Sequence, residues 1–387
     1  MAIRLGASSY SYQDEYALGL MTLEDTMAAL SAAGGTGYEA ILEQMLPGGN
    51  FMHLSDEFVE QWYDLLEKYG LEPTCADIFD DFNLFRNRTL TEREQLNQME
   101  HYLSVANRLG FTTARVLANT PLDVLEKAFP IAEDYNVKLG LEIHAPLTMK
   151  SRWALDWMER IDKAGTKYAG IIPDFGIFGL RPLTINVAAA LRAGADPEIC
   201  DFIVEEYKKN AKKRAMSNVI LENASPEEMM TRGAEASVEL EEKVRKMGGG
   251  PLEIGLVNAR LSYDNPMWLA EYMDKIVHIH AKFYEMVEDG EGGYADPNID
   301  TVAAVRVLRD YGYSGWISSE YEGHGFFREP GLEIYPDGPE QVRRHHVMLR
   351  KILSEPYTDK LKQYNENRRK QRSEERRVGK ECRSRWS

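Results

Sequence analysis

The feature that most constrains the fold is a regular alternation of short apolar segments with longer amphipathic ones. The short segments have the composition of buried strands, and the longer ones have the periodicity of helices that cover a sheet. Strands are predicted at residues 3–9, 38–44, 73–79, 113–118, 137–144, 169–174, 277–283 and 316–321. Strict alternation favours a parallel sheet with right-handed crossovers, and eight strands close a barrel. We therefore predict a (β/α)8 TIM barrel, with a doubly wound open sheet as the alternative.

Helix signals occupy the segments between the predicted strands. Thr91 and Glu94 have the spacing of a capping box, and Gly110 ends the helix that they begin. Further helices are predicted at residues 23–33, 56–69, 122–135, 301–311 and 341–353. The first strand is not followed by G-x-G-x-x-G, and the sequence has no G-x-x-x-x-G-K, so no motif supports nucleotide binding.

One connection is much longer than a single helix requires. Residues from about 181 to 263, roughly 80 in number, separate the sixth and seventh predicted strands. We predict a helical insertion at the rim of the barrel, which serves either as a lid or as a docking surface for another subunit. Because no linker-like tract sets it apart, residues 1–371 are predicted to form one domain.

The last residues of the chain do not fit the pattern. Residues 372–387 lack periodicity and resemble the peptide encoded by a common sequencing adapter, so we predict that they are not native. A natural basic tail that touches RNA or membrane is the alternative. The formal net charge of −16 argues against nucleic-acid binding, which needs a basic face.

Cysteine usage and hydropathy indicate the compartment. The three cysteines, Cys75, Cys200 and Cys382, have no paired spacing and no C-x-x-C motif, as expected for reduced thiols. The sequence has neither an apolar run of about eighteen residues nor a charged leader followed by an apolar segment. We therefore predict a cytoplasmic protein that does not associate with a membrane.

Polar residues stand at the ends of the last four predicted strands. Glu142 and His144 lie two apart on an otherwise apolar strand and so share one face, while Asp174, His280 and Glu320 end the next three strands. In a barrel all these ends meet at one mouth. Taken singly, each residue has an ordinary explanation: a turn cap, an ion pair or a satisfied core histidine. Together they predict a site.

Three carboxylates that converge in one pocket repel each other, and a divalent cation is the usual reason for such an arrangement. The candidate ligands are Glu142, Asp174, His280 and Glu320. A set of mostly oxygen donors without sulfur favours Mn²⁺ or Mg²⁺, with Co²⁺ or Zn²⁺ as alternatives.

The runs L-G-L-E-I-H, P-D-F-G, H-I-H-A-K and G-W-I-S-S-E resemble the strand ends of the xylose-isomerase-like barrels, which include sugar isomerases, sugar epimerases and apurinic endonucleases. The resemblance implies that the four candidate ligands bind one metal. His278 would then support these ligands or face the substrate. Asp174 is not followed by the histidine that the endonucleases use for their zinc cluster, which argues against DNA repair.

A narrower resemblance is to the α (catalytic) subunits of C-glycoside deglycosidases. It rests on short runs at residues 142–146, 173–178, 320–324 and 341–346, and on the long insertion. The resemblance implies a small β subunit as partner and cleavage of the sugar–aglycone carbon–carbon bond of 3-oxo-C-glycosides. We also predict that His278, Lys282 and Glu322 contact the substrate.

The chemistry of such a site needs a base. A metal acts as a Lewis acid beside the ketone, and His144, which has no ligand role, is predicted to take the acidified C–H proton. The alternative for His144 is that it only orients Glu142 or a water. A sugar or sugar-phosphate isomerase or epimerase is the second functional hypothesis, with Glu142 and Glu320 acting on either side of the substrate. A non-catalytic carbohydrate-binding subunit is the third.

Overall fold

The computed structural model describes residues 2–46, 54–79, 83–217, 238–258, 263–323 and 337–357, together with residues 360 and 366. The side chains of residues 45 and 210–217 are not described. The tail predicted at residues 372–387 and His324 of the resemblance lie outside this range, as do residues 218–237 and 259–262 of the predicted insertion.

Eight parallel strands form the sheet, and each falls within a predicted segment or overlaps it. They are β1 Arg4–Ser8, β2 Gly37–Ile41, β3 Glu72–Asp77, β4 Thr113–Val116, β5 Lys138–Ile143, β6 Ala169–Pro173, β7 Ile279–Phe283 and β8 Trp316–Tyr321. Strands β1 to β6 pair in chain order, β1 also pairs with β8, and β8 pairs with β7. Two isolated parallel bridges, Ile171 to Ile276 and Asp174 to His280, join β6 to β7. The sheet is therefore a nearly closed barrel, and the predicted (β/α)8 fold is confirmed.

Helices lie in the connections between the strands. They are α1 Gln13–Ala17, α2 Leu23–Ala32, α3 Leu42–Met45, α4 Asp56–Tyr69, α5 Glu92–Arg108, α6 Leu122–Lys127, α7 Phe129–Asp134, α8 Arg152–Ala164, α9 Thr184–Arg192, α10 Pro197–Ser217, α11 Val238–Lys246, α12 Pro251–Val257, α13 Met267–Glu271, α14 Thr301–Asp310 and α15 Gly338–Ser354. Two 3₁₀ turns follow β1 and β6, at Ser9–Tyr12 and Phe175–Ile177. A two-residue strand pair, Val287–Glu288 with Tyr294–Ala295, follows β7.

Local sequence sets the helix ends. The capping box predicted at Thr91 and Glu94 is present: Glu94 N donates to Thr91 Oγ1, and Thr91 N donates to the Glu94 carboxylate. The helix predicted at 122–135 is interrupted, because α6 ends at Lys127 and α7 starts at Phe129. Pro130 explains the break, since it lacks the amide hydrogen that would continue α6 and its ring crowds the preceding turn.

The long connection between β6 and β7 carries α9 to α12, which have a small core of their own. Val187 of α9, Ile203 of α10, Val244 of α11 and Val257 of α12 belong to this core, apart from the main core of the barrel. Within the residues described, no helix has both the length and the apolar character needed to cross a membrane.

Candidate metal centre and active site

The four candidate ligands meet at the mouth of the barrel, defined here as the end where the strands finish. Glu142 of β5, Asp174 directly after β6, His280 of β7 and Glu320 of β8 are all buried. Each contributes one ligand-type atom, and these atoms all lie within 4.8 Å of one another. The cluster could therefore hold a metal ion.

Short distances define the cluster. Glu142 Oε1 is 2.8 Å from His280 Nδ1, and Glu320 Oε2 is 3.7 Å from the same nitrogen. Asp174 Oδ1 accepts a hydrogen bond of 2.7 Å from Gly176 N, so this residue also caps the turn that follows β6. The turn-cap explanation of Asp174 thus accounts for one of its two carboxylate oxygens only.

The other oxygen of Asp174 is one of several buried atoms without a hydrogen bond. Asp174 Oδ2 and Glu320 Oε2 have no donor with hydrogen-bond geometry among the described residues, although the Lys282 ammonium lies 3.2 and 3.5 Å away. Buried polar atoms are normally satisfied, so these two oxygens fit the role of metal ligands. Three carboxylates and one imidazole suit a hard divalent cation.

Burial and charge shift the pKa values of these carboxyl groups in opposite directions. Burial raises the pKa of Asp174 to about 7, against the lowering effect of Lys282. Burial also raises the pKa of Glu142, but the positive charges of Arg115 and His280 outweigh it and leave this pKa below its usual range. Without a metal, the carboxyl group of Asp174 is therefore easier to protonate than that of Glu142.

Lys282 brings a positive charge close to this cluster. Its side chain is 2% exposed, and its Nζ lies 3.3 Å from Glu322 Oε2 in addition to the contacts with Asp174 and Glu320. Burial lowers its pKa, but these three carboxylates raise the pKa well above the usual lysine value. Lys282 therefore carries a positive charge inside the site.

His144 lies just beyond the end of β5, so the predicted strand is one residue too long there. Its Nδ1 is 2.6 Å from the carbonyl oxygen of Ala145, and its Nε2 is 2.6 Å from Lys282 Nζ. A carbonyl oxygen only accepts, so Nδ1 carries the proton and Nε2 presents a lone pair, to which Lys282 donates. This tautomer directs the basic nitrogen of His144 into the cluster.

Glu322 and Tyr10 form the outer edge of the site. The Tyr10 hydroxyl donates to Glu322 Oε1 at 3.5 Å, and Tyr10 lies on the 3₁₀ turn after β1. The Glu322 side chain is 30% exposed, so it is accessible from the mouth. Together with Lys282, these residues offer hydrogen-bonding groups to a polar molecule.

His278 occupies a different position from Lys282 and Glu322. It is buried directly before β7, with its Nε2 2.6 Å from Glu39 Oε2 and 3.0 Å from Ser318 Oγ. Glu39 Oε1 lies 3.0 Å from Nε2 of His280. His278 thus shares a carboxylate with His280, and this position favours the supporting role over a substrate contact.

Three charged residues of the site were not predicted, and they come from β2, β3 and β4. Glu39, Asp77 and Arg115 are all buried. Arg115 Nε donates to Asp77 Oδ1 at 3.0 Å and lies 3.9 Å from Glu142 Oε2. The sequence contains a signal that could have identified these residues. Each is a charged residue within an apolar strand, as Glu142 is.

Comparisons with known proteins show what the chain is similar to. Residues 27–178 match the family model described as xylose isomerase-like TIM barrel. The chain is 29% identical to a C-glycoside deglycosidase alpha subunit of Arthrobacter globiformis, over 91% of this chain and 93% of the relative. It is 28% identical to a 3'-dehydrocarminate deglycosidase alpha subunit of a Microbacterium species, over 91% of this chain and 96% of the relative.

A solved structure supports the fold. The structure of L-ribulose 3-epimerase matches with a TM-score of 0.50 at 13% identity, over 91% of this chain and 95% of that chain. At this identity the match concerns the fold alone. The comparisons confirm the resemblance to xylose isomerase-like barrels and to C-glycoside deglycosidase alpha subunits, so the chain is related to enzymes over most of its length.

Proposed function

We propose that this chain, a relative of the xylose isomerase-like TIM barrels, is the catalytic α subunit of a metal-dependent C-glycoside deglycosidase. The reaction is the cleavage of the sugar–aglycone carbon–carbon bond of 3-oxo-C-glycosides by elimination. The observation that carries the proposal is the His144 lone pair, which accepts a hydrogen bond from Lys282 Nζ, and this ammonium in turn lies 3.2 Å from Asp174 Oδ2 and 3.5 Å from Glu320 Oε2 of the buried cluster. The names of the similar curated proteins support the substrate class.

The metal in this proposal is Mn²⁺, with Mg²⁺ or Co²⁺ as alternatives, because oxygen donors outnumber nitrogen. Glu142, Asp174, His280 and Glu320 would hold it. When bound there, a divalent cation polarises a ketone oxygen and makes the neighbouring C–H bond more acidic. The three buried carboxylates of this cluster support the assignment.

His144 is the base in this mechanism. Its Nε2 takes the proton from the carbon between the ketone and the anomeric carbon. The electrons of that C–H bond form a double bond to the anomeric carbon, and the bond to the aglycone breaks with its electron pair on the aglycone carbon. That carbon then takes the proton that His144 had removed, which returns His144 to its starting state, so the products are an unsaturated sugar ketone and the free aglycone. The step needs no oxidant or reductant.

Lys282, Glu322 and Tyr10 bind the sugar in this proposal. Lys282 donates to His144 Nε2 at 2.6 Å, so a substrate oxygen that accepts the Lys282 hydrogen bond instead releases the His144 lone pair. Glu322, at the accessible edge of the site, accepts hydrogen bonds from sugar hydroxyl groups. Substrate binding would in this way activate the base.

A second polypeptide belongs to the proposal. The similar curated proteins are named alpha subunits, which implies a partner, and we infer a small β subunit. The helices α9 to α12 then serve as its docking surface or as a lid. We further infer that the enzyme works in the cytoplasm, in keeping with the buried, unpaired thiols of Cys75 and Cys200.

The test is release of aglycone from a 3-oxo-C-glycosyl aromatic compound. The purified chain is incubated with this compound, with and without a co-expressed small partner, and free aglycone is quantified by chromatography and mass spectrometry. We expect release that depends on a divalent metal. Interconversion of free ketoses without any aglycone release would instead support the isomerase or epimerase hypothesis.

A further inference from the structure

A second group of ligand-type side chains lies inside the barrel, further from the mouth than the candidate metal centre. We call it the deep cluster, and its members are Glu39 on β2, Cys75 on β3, His278 directly before β7 and His280 on β7. All four residues are buried, and each offers one ligand-type atom within 4.8 Å of the others. The deep cluster shares only His280 with the four candidate ligands at the mouth.

Strand position explains the depth of this cluster. Residues two apart on a strand face the same side, so Cys75 shares the face of Asp77 on β3. His278 shares the face of His280 in the same way. Cys75 and His278 come earlier along their strands and therefore lie one layer further from the mouth. The interior layers of such barrels are usually filled by branched apolar side chains, so ligand-type residues are unusual there.

The two histidine rings of the deep cluster direct the same ring nitrogen at one carboxylate. The rings stand nearly perpendicular, at 88°, with their centroids 5.8 Å apart. His278 Nε2 lies 2.6 Å from Glu39 Oε2, and His280 Nε2 lies 3.0 Å from Glu39 Oε1. Two nitrogens and a carboxylate therefore converge beside the thiol of Cys75.

Hydrogen bonds account for only part of this arrangement. His278 Nε2 is within hydrogen-bond distance of Glu39 Oε2 and Ser318 Oγ. Glu39 Oε1 and His280 Nε2 have no partner with hydrogen-bond geometry among the residues that the structure describes. Buried polar atoms normally have a partner, so these two atoms fit the role of metal ligands.

We propose that the deep cluster is a second metal site and that it binds Zn²⁺. One thiolate, two imidazoles and one carboxylate are all zinc ligands, and four ligands give the tetrahedral coordination of structural zinc sites. The candidate ligands at the mouth include no sulfur and suit a harder ion. Burial raises the pKa of the Cys75 thiol, but a thiol that coordinates a metal gives up its proton to solvent.

His280 would then bind two ions through opposite ring nitrogens. Its Nδ1 lies 2.8 Å from Glu142 Oε1 at the mouth, and its Nε2 faces Glu39. Zinc takes the place of the proton that Nε2 otherwise carries beside Glu39. The deep site also joins β7 to β2 and β3 across the barrel, whereas isolated bridges join β7 to β6. Zinc would therefore brace β7 and the His280 side chain.

The test uses Co²⁺ as a spectroscopic substitute for Zn²⁺. A thiolate ligand gives Co²⁺ a charge-transfer band in the near ultraviolet, which oxygen and nitrogen ligands do not. The full chain is produced in minimal medium with cobalt as the added divalent metal, so that ions can enter during folding. We expect wild type to show the band and to carry one Co²⁺ per chain more than Cys75→Ser, which should lose the band.

The matched control is the double variant Cys200→Ser, Cys382→Ser, which leaves Cys75 as the sole cysteine of the chain. It should keep the band and the metal content of wild type, and this assigns the band even if Cys75→Ser fails to fold. A wild type without the band, or a double variant without it, would overturn the proposal. Persistence of the band in folded Cys75→Ser, checked by circular dichroism, would overturn it as well. No outcome depends on aglycone release.

Discussion

At the scale of single residues, Glu39 lies against both buried histidines of the site and is a candidate for orienting His280. Its carboxylate lies 2.6 Å from Nε2 of His278 and 3.0 Å from Nε2 of His280. Burial raises the pKa of Glu39, but the two histidines outweigh burial and leave this pKa well below its usual range. An ionised Glu39 attracts the proton on Nε2 of His280, although the contact lacks hydrogen-bond geometry. A metal that binds His280 would therefore replace the proton on Nδ1, the nitrogen that faces Glu142 and Glu320.

Glu39→Gln should therefore weaken metal binding. Loss of a carboxylate that orients a ligating histidine typically reduces affinity about 10- to 100-fold. The measurement is calorimetric titration of metal-stripped protein with Mn²⁺. The matched control is Glu72→Gln, the same change at a 63% exposed side chain on β3. Equal dissociation constants for wild type and Glu39→Gln would refute the orienting role.

At the scale of elements, the contact between β6 and β7 is the weakest part of the barrel and lies next to the cluster. Ile171 N donates to the Lys275 carbonyl at 2.8 Å, and Val277 N donates to the Ile171 carbonyl at 3.1 Å. Gly170 allows this approach, since a Cβ there would lie 2.5 Å from the Lys275 carbonyl oxygen. Backbone atoms cannot move aside as a flexible side chain can.

Gly170→Ala should separate β6 from β7. Overpacking of this kind costs about 1–3 kcal/mol, measured as the free energy of unfolding in urea. Because Asp174 and His280 stand on either side of this contact, metal affinity should fall as well. Gly255→Ala in α12 is the control, since a Cβ there meets nothing within 4 Å, and it should leave stability unchanged or slightly improved. If Gly170→Ala leaves the free energy of unfolding unchanged, the contact between β6 and β7 accommodates the added methyl group and the prediction is wrong.

The secondary-structure elements and their order could be predicted from the sequence, whereas the contacts between these elements could be predicted only in part. The spacing of apolar residues located all eight strands, but it does not show which residue makes the last hydrogen bond between neighbouring strands. His144 was therefore predicted to lie inside β5, which ends at Ile143. The sequence also predicted that Glu142, Asp174, His280 and Glu320 lie close together, because the strand ends of a closed barrel meet at one mouth. The network around Glu39 depends on which nitrogen of each histidine faces which carboxylate, and only side-chain coordinates provide that.

At the scale of the whole molecule, α15 closes the barrel through two buried histidines. His345 Nδ1 is 2.8 Å from Ser319 Oγ on β8, and His346 Nε2 donates to the Gly6 carbonyl on β1 at 3.0 Å. Burial lowers the pKa of His346 to about 4, from an ordinary value of 6.5, although the Gly6 carbonyl raises it. The folded chain therefore resists protonation of this ring.

Acid should consequently destabilise the fold through His346. The unfolded chain binds this proton more readily than the folded chain, so the stabilisation is present above pH 6.5 and is lost as pH falls towards 4. The loss amounts to about 3 kcal/mol over that interval. Urea denaturation across this pH range should show a shallower decline for His346→Gln than for wild type. Parallel profiles would mean that other groups cause the acid sensitivity.

The account as a whole depends on a base that acts beside a metal and does not bind it. The measurement is the rate of aglycone release by His144→Ala, in complex with its partner and with one divalent metal per chain verified by elemental analysis. Removal of a general base lowers a rate by about a hundredfold to ten-thousandfold, and we predict a loss of this size with metal content unchanged. Wild-type release by fully metallated His144→Ala would contradict the mechanism.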